Sequence, residues 1–380
     1  MANYDAIVLG VGGVGSAAAW HLARRGARVL ALDRFSPGHD QGSSHGQTRL
    51  IRQAYYEHPD YVPLVLRAFE LWRELEQLSG KTLYHQIGLV QVGPEDGEVV
   101  PGVRASAREH GLSIEEYSAS ESRRRFPAFE LPDSFRAVYE ARAGYLLVED
   151  CVRAHAEQAI AQGVELRVGE TVRSWRAEGG GVVVETEGES FRAGRLVITV
   201  GAWAGQLLGE LGVPFEVRRK PLYWFEASDP LLRADQGCPA FLYDLQQGCF
   251  YGVPRIDELG IKVAQHTGGR VVLDPLAVDR DLDVEDERAV AQFVRAFLPR
   301  ASNHRTAHAV CMYTMTPDCH FVVDRLPAHA QVVFAAGLSG HGFKFTSVLG
   351  EALADLALDG ETRLPIGFLS LDRPALRQLR

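Results

Sequence analysis

One glycine-rich pattern near the start of the chain constrains its fold more than any other feature. A short apolar run, residues 5–9, leads directly into Gly10-Val11-Gly12-Gly13-Val14-Gly15, a complete G-x-G-x-x-G motif. An Ala- and Leu-rich segment then runs to Gly26, and a second apolar run, residues 28–32, ends at Asp33. The order strand, glycine turn, helix and strand predicts a βαβ unit that binds a dinucleotide.

The motif residues have separate physical roles. Gly10 permits a tight turn, Gly12 lets the backbone approach a pyrophosphate, and Gly15 lets the helix lie close to the strand. Gly13 and Val14 begin the helix, whose positive dipole end faces the phosphates. Asp33 is placed to hold a ribose 2′-hydroxyl, which argues against NADP. The alternative is a structural βαβ turn without ligand, and the complete strand–helix–strand context disfavours it.

Composition limits the other possibilities. A chain of 380 residues is long enough for two domains. Its net charge of −9, without a basic run, disfavours nucleic acid as a partner. Five cysteines without paired spacing indicate a reducing compartment, and no cysteine or histidine cluster suggests a metal site. No apolar run has the length of a membrane span and no basic leader precedes the first strand, so we expect a cytoplasmic protein.

The middle of the chain predicts departures from the nucleotide fold. Residues 36–44 have loop composition, and Arg49 and Arg52 lie three residues apart, which on a helical turn makes them neighbours. Such a pair binds either an anion or surface acids, and the spacing alone does not decide between them. Apolar spacing predicts a helix over 61–79 ending at Gly80. A strand over 83–92 and a charged helix over 105–126 follow, within an insertion that spans 83–143.

The nucleotide fold is predicted to resume near Gly144. We expect a helix over 151–162, a strand over 164–168, a hairpin of 172–177 and 182–186, and two further strands over 190–193 and 196–200. A βαβ unit followed by a small antiparallel meander is typical of two-domain flavoproteins, so FAD is favoured over NAD. The fold class is therefore α/β, with a Rossmann-like FAD-binding domain and a strand-rich α+β substrate domain.

The last third of the chain completes both predicted domains. Strands over 221–227, 249–253 and 261–264 and a helix over 285–298 belong to the substrate domain, which comprises 83–143 and 213–318. The FAD-binding domain comprises 1–82, 144–212 and 319–380. Strands over 321–324 and 332–336 precede a glycine loop, 337–345, and a helix over 347–358. A helix behind such a loop can stabilise negative charge on a flavin, and His341 and Lys344 make an ordinary βα turn the weaker interpretation.

Four further segments carry a resemblance to a known family. SSHGQTRLIRQAY (43–55), YGVPRIDELGIKVAQH (251–266), AVCMYT (309–314) and GLSGHGFKF (337–345) resemble monomeric sarcosine oxidase and N-methyl-tryptophan oxidase, and the similarity covers essentially the whole chain in order. The resemblance implies a flavoprotein with FAD bound through a cysteine sulfur. It also implies oxidation of a secondary amino acid to its imine, with oxygen accepting the electrons and yielding hydrogen peroxide.

The resemblance also implies roles for individual residues. Cys311 matches the covalent attachment point, Lys262 the lysine that activates oxygen, and Arg52 and Lys344 the pair that holds the substrate carboxylate. The remaining matches lie beside the flavin (Arg49, His45), along the amine pocket (Tyr251, His266, Tyr313) or in the cofactor-binding glycine loop (Gly340, His341, Gly342, with Lys344). From the residues alone, Cys311 reads as a small buried hydrophobe, Lys262 as an outward strand residue, and His266 as a structural histidine.

The sequence thus predicts a monomeric FAD-dependent oxidase that uses O2, with sarcosine as the first candidate substrate. N-methyl-tryptophan, pipecolate-type and glycine-oxidase-like activities are alternatives, and a non-catalytic or electron-transferring flavoprotein is a further one. The resemblance departs at Tyr56 and at Ala264-Gln265, where a lid or a pocket wall is expected, so it does not determine the preferred amino acid side chain.

Overall fold

A computed structural model describes residues 3–377, which form a mixture of strands and helices. Residues 3–147 contain β1 (Asn3–Leu9), α1 (Gly13–Arg24), β2 (Val29–Asp33), β3 (Thr48–Ile51), α2 (Tyr61–Ser79), β4 (Tyr84–Gln86), β5 (Leu89–Pro94), α3 (Val99–His110), β6 (Glu115–Ser118), α4 (Ala119–Arg125), β7 (Phe135–Glu140) and β8 (Gly144–Leu147). Residues 148–253 contain α5 (Val148–Ala161), β9 (Glu165–Val168), β10 (Val172–Glu178), β11 (Gly181–Thr186), β12 (Ser190–Ile198), α6 (Ala204–Leu207), β13 (Glu216–Phe225), β14 (Ala240–Leu245) and β15 (Gly248–Val253). The remainder contains β16 (Ile261–Gln265), α7 (Val284–Phe297), β17 (Arg305–Met315), β18 (Val322–Leu326), β19 (His329–Ala336), α8 (Thr346–Leu358) and α9 (Pro374–Arg377).

The first sheet is the nucleotide-binding one. Its strands run in the order β10-β11-β12-β1-β2-β9, with β19 pairing to β12 and β18 to β19. The pairs β12–β1, β1–β2, β2–β9 and β12–β19 are parallel. Parallel strands end at a common edge, so the residues that follow β1, β2, β12 and β19 meet there. Helices α1 and α8 pack against each other in the core that covers this sheet.

The second sheet has the order β17-β13-β16-β15-β14-β5-β7-β6 and is antiparallel except for the β14–β5 pair. In its register Lys220 lies opposite Cys311 and Trp224 lies opposite Lys262. Side chains alternate between the faces of a strand, so one face carries these residues toward the nucleotide-binding sheet. The other face packs on α7 through an aromatic cluster that includes Phe241 and Phe293.

A small third sheet has the strand order β3-β8-β4. Strand β3 pairs antiparallel with β8 from Thr48 to Ile51. This strand corrects one prediction, because Arg49 and Arg52 are not neighbours on a helical turn. On extended backbone residues three apart point to opposite faces, and the two guanidinium groups accordingly reach different partners.

Other differences from the predicted elements have local causes. The predicted strand over 83–92 is divided into β4 and β5 at Gly88, whose φ is +77°. The prediction of a single helix over 105–126 is wrong in the middle of that range. Gly111 ends α3 with φ +63°, and strand β6 follows before α4 begins. The two strands predicted over 190–200 are a single strand, β12, because it pairs with β11 and β1 on its two edges. Strands β14 and β17 had no counterpart among the predicted elements.

Many predicted elements are confirmed. Helix α2 spans the predicted residues, with Gly80 in the left-handed conformation after it. The hairpin β10–β11, helices α5, α7 and α8 and strand β19 lie within a few residues of their predicted bounds. The division into two domains stays a prediction, and residues 1–2 and 378–380 of the predicted FAD-binding domain lie outside the described residues. Within the described chain, no helix is both long and apolar enough to cross a membrane.

Candidate active site

A cleft of about 260 Å³ opens at the carboxyl edge of the nucleotide-binding sheet. It is lined by residues that follow β1, β2, β12 and β19, together with the loop before β3. The lining includes Gly10, Gly12, Gly13, Val14, Asp33, Ser43, Ser44, Arg49, Thr199, Gly201, Met312, Tyr313, Gly340 and Gly342. Most of the predicted cofactor residues therefore share one cavity, which extends from the N-terminus of α1 toward the second sheet.

The glycine motif has no room for side chains where strand and helix meet. Gly10 has φ +83°, and a Cβ there would lie 2.7 Å from the carbonyl oxygen of Thr199. A Cβ on Gly15 would lie 1.7 Å from the carbonyl oxygen of Gly10. Gly15 does not line the cleft; it brings α1 close to the turn, as the motif predicts. The turn thus leaves the N-terminus of α1 open toward the cleft, an arrangement that fits a pyrophosphate.

Asp33 ends β2 at the predicted ribose position. Its carboxylate accepts hydrogen bonds from the amide of Val11 at 2.5 Å and from the amide of Phe35 at 2.8 Å. These bonds hold the carboxylate at the rim of the cleft, which it lines. Asp33 therefore joins the glycine turn to β2 and still faces the space in which a ribose would lie.

Arg49 joins the cleft to Cys311, which is not itself in the cleft lining but precedes Met312 and Tyr313, which are. Cys311 is fully buried in β17, and the Nη2 atom of Arg49 donates to its Sγ at 3.0 Å. Arg49 also donates to the carbonyl oxygens of Thr48 at 2.9 Å and Ser43 at 3.1 Å. The guanidinium is thus held by the backbone, and it can balance negative charge that develops on the sulfur or on a nearby ligand.

Lys262 lies next to this pair, on β16. Its Nζ donates to the carbonyl oxygens of Gly46 at 2.5 Å and Thr48 at 2.8 Å, and to the Thr48 hydroxyl at 3.2 Å. Its side chain is only 2% exposed and lies 5.5 Å from the centre of the Trp224 ring. Burial and the charge of Arg49 lower the pKa of Lys262 well below its ordinary value. The interpretation of Lys262 as an outward strand residue is wrong.

His45 is a buried residue close to the same cations. Its Nε2 has no hydrogen-bond partner among the described residues. Burial, followed by the charges of Arg49 and Arg280, lowers the pKa of His45 to about 3. The imidazole is therefore neutral at neutral pH and has a free ring nitrogen.

A second, smaller cavity of about 50 Å³ adjoins the cleft. Its lining contains all five residues predicted to contact the substrate and several that the sequence did not single out. The full lining comprises Arg49, Leu50, Arg52, Tyr56, Glu57, Leu242, Tyr251, His266, Tyr313, Gly340, His341, Phe343 and Lys344. Arg49, Tyr313, Gly340 and Phe343 line both cavities, so the two spaces meet at these residues.

Arg52 lies at one side of the small cavity and is paired with Glu57. Its Nη2 donates to both carboxylate oxygens of Glu57, at 2.7 and 2.5 Å, and its guanidinium lies over the rings of Tyr55 and Tyr56. Burial raises the pKa of the Glu57 carboxyl, but Arg52, His341 and Lys344 outweigh it and bring the pKa to about 2. Glu57 is therefore an anion that already occupies Arg52.

Lys344 approaches the cavity from the glycine loop. Its Nζ donates to the carbonyl oxygen of His341 at 2.8 Å and to the Tyr55 hydroxyl at 3.3 Å. Burial and the charge of Arg52 lower the pKa of Lys344 well below its ordinary value. Two buried basic side chains with only one carboxylate between them favour binding of a further anion, and an anion in the cavity would in turn favour the protonated form of Lys344.

His341 faces the small cavity and not the cofactor cleft. Its Nε2 contacts the carbonyl oxygen of Cys319 at 2.9 Å, so this nitrogen carries the proton, and its Nδ1 lies 2.7 Å from the Tyr55 hydroxyl. Both ring nitrogens are therefore used within the protein. His341 was predicted to bind the cofactor, but in the structure its side chain links the glycine loop to Tyr55 and Cys319 by hydrogen bonds.

Three further residues of the small-cavity lining, Tyr251, His266 and Tyr313, lie close to one another. The His266 Nδ1 lies 3.4 Å from the Tyr313 hydroxyl, and the His266 ring centre lies 6.4 Å from that of Tyr251. Burial, followed by Lys220, lowers the pKa of His266 to about 3, so the imidazole is neutral. Gly340 has φ +82°, and a Cβ there would lie 2.3 Å from the Tyr313 ring, so glycine is required for this ring to pack against the loop.

Sequence reasoning missed several residues that organise the site. Glu57 pairs with Arg52, and Glu149 accepts from the amides of Gly46 and Gln47, whose φ values are +87° and +71°. Lys220 donates to the carbonyl oxygens of His266 and Thr267 at 2.8 and 2.9 Å. Glu57 could have been found from its place five residues after Arg52. Glu149 and Lys220 are separated from their partners by 46 to 103 residues, and no local sequence pattern marks them.

Comparison with known proteins gives consistent matches. Residues 5–356 match the family model for FAD dependent oxidoreductases. The chain is 44% identical over 379 residues to a monomeric sarcosine oxidase of Streptomyces avermitilis, covering 98% of both chains, and 35% identical over 374 residues to an N-methyl-L-tryptophan oxidase of Yersinia pestis, covering 98% of this chain and 99% of that one. The solved structure of NikD, described as an unusual amino acid oxidase essential for nikkomycin biosynthesis, superimposes with a TM-score of 0.86 at 26% identity, covering 97% of this chain and 98% of NikD.

Proposed function

Because this chain belongs to the FAD dependent oxidoreductase family, we propose that it oxidises secondary N-methyl amino acids with O2, and that sarcosine is its substrate. The products are glycine, formaldehyde and hydrogen peroxide, with water consumed. One observation carries the proposal: a small cavity that joins the cofactor cleft is lined by two buried basic side chains, Arg52 and Lys344, and by a neutral histidine with two tyrosines. Such a cavity matches a small molecule with a carboxylate at one end and an amine at the other.

The cleft residues fit FAD. When bound, FAD supplies the two-electron chemistry that amine oxidation requires. The N-terminus of α1 and the glycine turn would hold its pyrophosphate, and Asp33 its ribose. We propose that Cys311 is the covalent attachment point, because it is buried directly behind the cleft, next to the lining residue Met312 and with the lining residue Arg49 against its sulfur.

Arg52 and Lys344 would bind the substrate carboxylate. Both are almost fully buried and both line the small cavity. Arg52 already holds Glu57, so an incoming carboxylate must displace Glu57 or share the guanidinium with it. This competition lowers the affinity for anions in general and limits binding to ligands that also fit the amine side of the cavity.

The amine side would bind the substrate nitrogen in its neutral form. Oxidation at the carbon next to nitrogen requires the nitrogen lone pair, and a substrate ammonium must lose its proton first. Arg49, Arg52 and Lys344 disfavour a further cation in the cavity, while the neutral His266 imidazole has a nitrogen that can accept a hydrogen bond. The Tyr313 and Tyr251 rings, with no charge of their own, restrict the position of the amine.

Lys262 would serve the reaction with oxygen. Three oxygen acceptors, from Gly46 and Thr48, hold its amine in one position beside Arg49 and Cys311. A cation held in advance at the place where oxygen acquires negative charge lowers the barrier without reorganisation. Hydrogen bonds to these acceptors favour the protonated form of Lys262, whereas burial lowers its pKa.

N-methyl-L-tryptophan oxidation is the second candidate, supported by the 35% identity to such an oxidase. The volume of the small cavity, about 50 Å³, favours the smaller substrate. Pipecolate-type and glycine-oxidase-like activities are weaker candidates because no feature of the cavity selects them. An electron-transferring subunit is the least supported, because it would not need Lys262 in this position. A monomeric state is also part of the proposal; the cytoplasmic location stays a prediction.

A panel of amines tests the proposal. Sarcosine, N-methyl-L-tryptophan, L-pipecolate, glycine and dimethylamine are mixed anaerobically with the holoenzyme, and bleaching of the flavin absorbance is recorded. We expect sarcosine to bleach most efficiently and to produce hydrogen peroxide when air is admitted. If dimethylamine bleaches as efficiently as sarcosine, Arg52 and Lys344 do not bind a carboxylate, and the proposed substrate class is wrong.

A further inference from the structure

Tyr56 is an aromatic residue in the lining of the small cavity, beside Arg52 and Glu57. Its ring centre lies 4.7 Å from the guanidinium carbon of Arg52, and the ring of Tyr55 lies 4.4 Å from the same atom. A guanidinium over aromatic faces is held in position by cation–π attraction. Tyr56 therefore both limits the space next to Arg52 and helps to orient that arginine.

The backbone around Tyr56 is fixed by three contacts. The buried carboxylate of Glu140 accepts from the amides of Gln53 and Ala54 at 2.6 and 3.0 Å. Helix α3 lies directly against Tyr56, since a Cβ on Gly102 would be 2.4 Å from the Tyr56 carbonyl oxygen and 2.9 Å from its Cα. The Ser106 hydroxyl, also on α3, donates to the carbonyl oxygen of Tyr55.

These contacts restrict how the cavity can adapt to a larger ligand. Movement of the Tyr56 backbone would require displacement of α3 or loss of hydrogen bonds to a buried carboxylate, and both are unfavourable. Movement of the ring alone would remove its contact with Arg52. A substituent on the carbon next to the substrate carboxylate would extend from the place where Arg52 binds, and the fixed ring lies beside that place.

We propose that Tyr56 is a specificity-determining residue that restricts this enzyme to N-methyl amino acids with no side chain or a very small one. The inference rests on the proposed function, and it adds the size limit and the residue that imposes it. Of the tyrosines that the structure describes in the lining, Tyr56, Tyr251 and Tyr313, Tyr56 is the one whose ring lies at the Arg52 guanidinium.

The test is a graded series at position 56. For Tyr56→Ala, the ratio of kcat/KM for sarcosine to that for N-methyl-L-phenylalanine should fall at least about tenfold. Removal of the ring opens space for several methylene groups of a larger substrate. Tyr56→Leu should give an intermediate ratio, and Tyr56→Phe, which keeps the ring, should stay within about twofold of wild type. Tyr117→Ala, on the edge strand β6 far from the cavity, is the control for loss of a tyrosine.

A second measurement does not depend on turnover. Acetate and phenylpropanoate are titrated into each holoenzyme, and their Kd values are read from the flavin absorbance. The preference for acetate should decrease in Tyr56→Ala and Tyr56→Leu. It should stay unchanged in Tyr56→Phe and Tyr117→Ala. If Tyr56→Ala does not fold, Tyr56→Leu decides the outcome by the same two ratios.

The possible failures are distinguishable. Unchanged ratios in Tyr56→Ala and Tyr56→Leu, with sarcosine turnover and FAD content retained, would overturn the role of Tyr56 and leave the proposed function intact. Absence of sarcosine turnover in the wild-type enzyme would instead overturn the proposed function, and with it the specificity inference. A Tyr56→Phe variant that loses selectivity as Tyr56→Ala does would show that the hydroxyl, and not the ring, is responsible, which also overturns the inference.

Discussion

Replacement of Glu57 by glutamine should tighten the binding of carboxylate ligands. In the wild-type protein a carboxylate ligand competes with Glu57 for Arg52, whose Nη2 contacts both Glu57 oxygens. Glutamine has similar volume but no charge, so Arg52 keeps its position and loses its anionic partner. An unpaired buried guanidinium then gains more from an incoming carboxylate.

The pKa of Glu57 sets the magnitude. It falls from 4.5 to about 2 in the folded protein, and at about 1.4 kcal/mol per unit the surroundings favour the charged carboxyl by roughly 3 kcal/mol. This value is an upper limit, because the side chain of Glu57 is 15% exposed and solvent screens part of the attraction. We expect a gain of about 1.5 to 3 kcal/mol, equivalent to acetate binding about 10- to 100-fold tighter.

The same pair predicts a pH dependence of stability. A carboxyl whose pKa is depressed on folding stabilises the protein above its unfolded pKa, and this stabilisation is lost as the pH falls through the folded value. Glu57→Gln should therefore lower the free energy of unfolding at neutral pH by up to about 3 kcal/mol. The wild type and the variant should converge as the pH falls from 4.5 toward about 2.

The assay is titration of the holoenzyme with acetate at neutral pH, followed by flavin absorbance, together with urea unfolding as a function of pH. Glu98→Gln is the matched control, because it removes a carboxylate near Tyr56 that makes no salt bridge to Arg52. An acetate Kd in Glu57→Gln that equals or exceeds the wild-type value would refute the argument that Glu57 competes for Arg52.

Three further predictions concern the proposed roles. Cys311→Ser should release FAD on acid precipitation, whereas the wild-type protein should remain yellow; release from the wild type would contradict the attachment site. Lys262→Met should slow the reaction with oxygen far more than anaerobic oxidation of the amine in stopped-flow measurements, and equal loss in both would count against the oxygen role. Arg52→Ala or Lys344→Ala should weaken sarcosine binding by about 2 to 5 kcal/mol, the range for truncation of one partner of a buried charge pair; unchanged Kd values would remove both from the carboxylate site.

The sequence by itself determined the features that depend on neighbouring residues. The glycine motif and Asp33 lie within one βαβ unit, and helix α2 with its terminal Gly80 follows from apolar spacing and a left-handed stop. The family segments also located the main site residues, and residues from both ends of the chain do line one small cavity. These patterns are readable because each depends on a short stretch of chain with a fixed period or a required φ.

Only the tertiary structure decided how the charged groups are paired. The spacing of Arg49 and Arg52 suited a helical turn, but the segment is extended because β3 pairs with β8. Arg49 therefore contacts Cys311, whereas Arg52 pairs with Glu57. Strand β12 is continuous because two different strands pair with its edges. The hydrogen bonds that hold Lys262 come from residues more than 200 positions away. Such contacts depend on which elements pack together, and no local periodicity encodes that choice.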